Sequence, residues 1–61
     1  MNSEEYIKQS TICTITMLLD KLEKPFSFME LQRQSLESLE NLRDELFLEY
    51  NKKIAKQSKQ I

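Results

Sequence analysis

The stretch Lys24-Pro25-Phe26-Ser27-Phe28-Met29-Glu30-Leu31 (KPFSFMEL) holds the only proline of a 61-residue chain, beside its clearest local signal. Pro25 biases Lys24 away from the helical region and stops whatever helix precedes it. Ser27 to Glu30 then matches a capping box, with Ser27 as N-cap and Glu30 reaching back to its amide. Phe26 before the cap and Leu31 within the helix are spaced as a hydrophobic staple. The spacing therefore predicts a helix that starts at Phe28. Two readings follow: the elbow of a helical hairpin, or the tight turn of a DNA-reading helix-turn-helix.

Upstream, Asn2-Ser3-Glu4-Glu5 reads as a helix start, a capping side chain followed by carboxylates at the positive helix end. At 100° per residue, Ile7, Ile12, Ile15, Leu18, Leu19 and Leu22 share one face of this first helix, and Tyr6, Cys13 and Met17 form a smaller patch on another. Downstream, no proline or glycine interrupts the pattern to about Gln57, roughly 30 residues or about 45 Å of helix. Phe28, Leu31, Leu39, Leu42, Leu46 and Tyr50 cluster there, flanked by Met29, Leu36, Phe47 and Ile54. That stripe is about 160° wide, too broad for a two-stranded seam, and strict heptads would place Arg43 or Glu49 in the core. Leu48 points away from it. Arg33–Glu37 and Glu49–Lys53 sit four apart and can pair along the helix.

Composition supports a helical chain. There is no glycine, tryptophan or valine, while Leu, Glu, Lys and Gln dominate. Without glycine, hairpin β-structure and phosphate-cradling loops are disfavoured. One cysteine and no histidine leave no internal disulfide and no zinc site. A chain this short with no staple is expected to oligomerise. Residues 1–51 carry ten acids against five bases, and residues 52–61 carry four lysines and no acid. No apolar run reaches the roughly 18 residues of a membrane span, and no signal peptide opens the chain. The expectation is a complete small cytoplasmic product that does not enter membranes.

Catalytic chemistry finds no support. There is no histidine base, no glycine for an oxyanion nest, and nothing beside Cys13 to activate it as a nucleophile. Acid pairs such as Glu40/Asp44 lie on an open helical surface. We expect no enzyme, no cofactor and no metal.

The helix-turn-helix reading needs a short first helix and a tight turn that often holds glycine. The segments here are long, the turn holds proline, and residues 1–51 would repel phosphate. The sequence thus reads as all-α: a hairpin with helix 1 at about 3–23, a turn at 24–27, helix 2 at about 28–57 and a basic tail at 52–61. Two such antiparallel hairpins would form a homodimeric four-helix bundle, the lysine-rich ends projecting as a fork. Ile12, Ile15, Leu19, Leu22, Leu39, Leu42, Leu46 and Tyr50 are the candidate core and dimer residues. Leu48, Lys52, Lys53, Lys56 and Lys59 are candidate contacts to a partner or to phosphate.

Two resemblances bear on function. Ser35-Leu36-Glu37-Ser38-Leu39-Glu40 is the nearest stretch to the Ser-Gln-Glu-Leu-Asp motif of small helical-hairpin aspartyl phosphatases of sporulating bacteria. It departs from that motif at several positions, so the activity does not carry over. In size, acidity and two-helix layout the chain resembles tiny phage proteins that bind a host transcription regulator. That resemblance implies a non-enzymatic adaptor or modulator of a larger protein, acting as corepressor or inhibitor, in the host cytoplasm. The alternatives are direct nucleic-acid binding through the paired lysine-rich helix ends, and a structural subunit or small chaperone.

Overall fold

The computed structural model describes residues 3–58, with side chains to Lys56. Within them the chain is all-helical: α1 spans Ser3–Lys21, α2 Phe28–Arg33 and α3 Leu36–Ser58. The expected capping role of Asn2 and the contacts assigned to Lys59 lie outside the described residues.

α1 ends at Lys21, two residues short of the expected bound at 23. Glu23 takes a left-handed conformation, φ 58°. The Lys24 amide donates to the Leu19 carbonyl at 2.8 Å and the Glu23 amide to the Asp20 carbonyl at 3.0 Å. These are the two bonds of a Schellman cap, a role glycine usually fills, and this chain has none. Pro25 follows the cap, where it can no longer be part of a helix. The three threonines of α1 turn their hydroxyls inward along the helix: Thr11 to the Ile7 carbonyl at 2.8 Å, Thr14 to Ser10 at 3.2 Å and Thr16 to Cys13 at 2.8 Å. Buried Thr11 is thereby satisfied.

The continuous helix expected over 28–57 is two helices. Gln34 leaves helical geometry at φ −83°, ψ 154°. Ser35 Oγ then accepts the Ser38 amide at 3.2 Å, and the Ser38 hydroxyl donates to Gln34 Oε1 at 3.0 Å. Ser35 caps α3 by the mechanism expected of Ser27. Serine favours such a boundary because its side chain competes for backbone amides. Ser27 itself, at φ −130° and ψ 123°, makes no side-chain cap bond. Its carbonyl accepts the Leu31 amide at 3.1 Å, so α2 does begin at Phe28.

This break overturns the antiparallel hairpin. Glu4, Glu5 and Lys8, at the start of α1, border an open depression with Ser35 and Leu36, at the start of α3. At the other end, Lys53 Nζ donates to the Lys21 carbonyl at 3.1 Å, and the Lys21 ammonium stands 5.9 Å from the Tyr50 ring centroid. Start meets start and end meets end: α1 and α3 run parallel. Between them the chain returns along the pair. Lys24 binds Glu49 at 2.8 Å near the end of α1, and eight residues later the Gln32 carbonyl accepts Lys8 Nζ at 2.7 Å. The Gln9 and Gln32 amides exchange bonds of 3.1 and 3.2 Å there. Lys8 to Lys21 is about 20 Å of helix, and a few extended residues followed by the short α2 cover about the same length. The stretch 22–35 is therefore a full return strap, not an elbow.

The core lies where strap and long helices meet. Ile12, Ile15, Leu18, Leu31, Leu39 and Leu46 are buried, with Ile15 and Leu39 at 0 % exposure. Leu19, Leu22, Leu42 and Tyr50 pack against them, half-buried. The eight candidate core and dimer residues lie in or against this core of the single chain, and Leu18 of α1 and Leu31 of the strap are buried with them. Glu49 pairs with Lys24 across the fold and Lys53 closes the carbonyl end of α1, in place of the expected Glu49–Lys53 pair. Arg33 and Glu37 fall on opposite sides of the helix break. Arg43 and Asp44 make a looser contact at 3.4 Å. Such exposed pairs contribute at most about 1 kcal/mol each.

Candidate protein-interaction surface

The core contains only isoleucine, leucine and a back-bonded threonine. All three phenylalanines are outside it: Phe26 and Phe47 are 43 % exposed and Phe28 is 56 %. Phenylalanine is normally among the most buried side chains, so its placement at the surface three times over is informative. Lone exposed leucines are common, but exposed aromatic groups in clusters mark contact surfaces.

The strap carries the densest cluster. The Phe26 and Phe28 rings meet edge to face, centroids 5.6 Å apart and planes at 83°, a favoured geometry for two quadrupoles. Next to them Met29 is 69 % exposed. The local sequence explains the arrangement. Pro25 and the extended Ser27 hold Phe26 outside any helix, and in α2 only Leu31 turns to the core. Phe28 and Met29 are then left on the outer side of a segment anchored at Lys24, Leu31 and Gln32. Two aromatic rings and a polarizable thioether thus stand at the surface, held by a fixed backbone.

Tyr6, Cys13 and Met17 form the second expected patch, on the side of α1 roughly opposite its buried face. All three are exposed, so the Cys13 thiol lies at the surface and not in the core. Leu48 stands 63 % exposed on α3, as its outward position predicts. Phe47 and Ile54 lie on a further strip of α3.

The lysines are distributed less freely than their number implies. Lys52 and Lys56 are exposed, while Lys53 is half-buried at the end of α1. Together with Lys24, Leu22 and Glu49 they border an open depression of about 440 Å³. Among the described residues, no three His, Cys, Asp or Glu side chains are placed to hold a metal ion. No helix among them is long and apolar enough to cross a membrane.

No protein family, curated protein or solved structure matches this chain.

Proposed function

We propose that this chain is a non-enzymatic protein-binding module, working as a homodimer that modulates a larger protein through the Phe26–Phe28–Met29 patch. The observation that carries the reading is the exposure of every phenylalanine while isoleucine and leucine fill the core. Burying the Phe26–Phe28 pair in a partner recovers apolar area at about 25 cal/mol per Å². The strap is already ordered, so little conformational entropy opposes that step.

A transcription regulator, most concretely a host repressor bound by a phage-type protein, is the partner the chain's size and acidity favour. Residues 1–51 carry ten acids against five bases, a balance that complements the basic surface of a DNA-binding protein. Such complementarity speeds encounter more than it strengthens the complex.

The test is affinity capture from the native lysate with wild-type protein and with the Phe28→Ser/Met29→Ser variant. Both substitutions replace exposed side chains, so the variant stays helical. The reading expects one protein held by the wild type and lost by the variant, and a change in that protein's operator affinity when purified components are mixed. Equal capture by both proteins overturns the assignment of the patch.

A further inference from the structure

Along α3, Leu36, Glu40, Arg43, Phe47, Tyr50 and Ile54 follow one another at alternating spacings of four and three residues. That spacing keeps them on one strip of the helix. The contact between Lys21 and the Tyr50 ring sets this strip beside α1, away from the Lys24–Glu49 pair where the strap runs. No member of the strip is buried. Phe47 and Ile54 are exposed, and Leu36, Glu40, Arg43 and Tyr50 are half-buried. Two polar residues thus interrupt an otherwise apolar strip that α1 covers in part, through the inner edge of Tyr50, while Phe47 and Ile54 stay open.

We infer that a second copy of the chain docks on this strip, its α3 antiparallel to the first, about a twofold axis that passes between Arg43 and Phe47. The residues of the strip are arranged symmetrically. Positions 36 and 54, 40 and 50, and 43 and 47 are each equidistant from position 45. An antiparallel twofold therefore sets Leu36 against Ile54 of the second copy, Glu40 against its Tyr50 and Arg43 against its Phe47. Each polar residue meets the aromatic group suited to it. The Arg43 guanidinium reaches the face of a phenyl ring, and the Tyr50 hydroxyl donates to the Glu40 carboxylate. The apolar pair closes each end.

The parallel alternative sets Arg43 on Arg43 and Glu40 on Glu40, and like charges across an interface are unfavourable. The strip is complementary to itself in one direction only. A core of six leucine and isoleucine side chains gains from such added burial, since a chain of this length buries little surface alone.

The inference rests on the homodimer in the functional reading, but uses a different surface from the Phe26–Phe28–Met29 patch. Loss of partner capture and loss of self-association are therefore separate results. Wild-type protein should sediment at about twice the 7.3 kDa chain mass. In a Cys13→Ser background, the Leu36→Cys/Ile54→Cys double variant should form a covalent dimer on mild oxidation, and neither single variant should. The two positions in one chain are eighteen residues apart, about 27 Å of helix, too far for an internal disulfide.

Phe47→Lys sets a second cation against Arg43 of the other copy and should weaken association at least about tenfold. Phe47→Glu sets an anion there and should retain more of it, and Leu48→Lys should have no effect. A monomeric wild type overturns the inference. So does cross-linking by the single variants, which reports a parallel pair, or a helical, dimeric double variant that fails to cross-link. Equal loss with lysine and glutamate at position 47 overturns the pairing with Arg43.

Discussion

Replacing Leu31 by alanine tests the return strap directly. Leu31 is 4 % exposed and is the buried residue of α2, so it is what seats the strap on the two long helices. Truncation removes three carbons. At about 0.8 kcal/mol per buried methylene, the transfer loss is about 2.4 kcal/mol. The cavity adds to this, and buried Leu→Ala changes reach about 2.7–5 kcal/mol. A six-residue helix between two non-helical segments can settle partly into the gap, so the expected cost is near the lower end, about 2.5–3.5 kcal/mol. Small domains have about 0.05–0.15 kcal/mol of stability per residue, so the whole chain has roughly 3–9 kcal/mol to lose. Urea unfolding followed by far-UV circular dichroism resolves a change of that size. With a slope of about 1 kcal/mol/M, the midpoint should fall by more than about 2 M. Leu48→Ala, at an exposed site, should stay within about 0.5 kcal/mol. If Leu31→Ala costs no more than Leu48→Ala, the strap does not lie where these contacts place it.

Labels at Lys21 and Lys53 should report a short separation, because the Lys53 ammonium meets the Lys21 carbonyl; an antiparallel hairpin would set them roughly 35 Å apart by helical rise. Pulsed spin-label distances decide between the two. Ser35→Ala should cost about 0.5–1 kcal/mol through the lost α3 cap, and Ser27→Ala should cost less, since the Ser27 hydroxyl caps nothing. Thermal melts of the two variants side by side check this, and the opposite order would refute it. Glu23→Gly should stabilise by about 0.5–1 kcal/mol: the left-handed conformation costs a side-chain-bearing residue about 1–2 kcal/mol, and glycine's extra unfolded entropy returns part of it. A destabilised Glu23→Gly variant would mean the cap at Glu23 is not formed.

The apolar periodicity of α1 and α3 was enough to place the part of the core that the two long helices supply. Ile12, Ile15, Leu39 and Leu46 are buried because 3.6-residue spacing sets them on one face, and no tertiary information is needed for that. The start of α2 at Phe28 was legible as well, although the capping box that pointed to it is not formed, since the Ser27 hydroxyl caps nothing. What was not legible is the direction of α3. Ser35 carries the signal, but a serine amid Gln, Leu and Glu reads equally as a tolerated interior residue, because its propensity cost is a few tenths of a kcal/mol. Whether the chain breaks there depends on what the break achieves. Reversing direction lets Leu31 and the Leu39–Leu46 face pack on the same α1, which is a tertiary gain absent from any local window. The exposed Phe26 and Phe28 follow from the same cause. As the staple and stripe of a long helix they would be inward, and on a strap held by Leu31 they are outward.

The parallel arrangement also bears on the lysines. It brings the carbonyl end of α1, which carries the negative pole of the helix, into the midst of Lys24, Lys52, Lys53 and Lys56. Lys53 is drawn to the Lys21 carbonyl and Lys24 to Glu49, so these two charges are largely satisfied within the chain. Lys52 and Lys56 remain as exposed cations among the described residues of α3. Each phosphate contact adds about 0.9 to the salt slope of duplex binding, so two such lysines supply a weak grip that physiological salt screens. An antiparallel dimer weakens it further. It sends the two α3 ends in opposite directions: about an axis at position 45 the two copies of Lys52 stand about 21 Å apart along the helix and those of Lys56 about 33 Å, so the lysines do not join into one fork. The paired-lysine route to DNA and the self-complementary α3 strip therefore exclude one another. A dimer that cross-links through positions 36 and 54 leaves the lysine end to a structural task, the closing of α1.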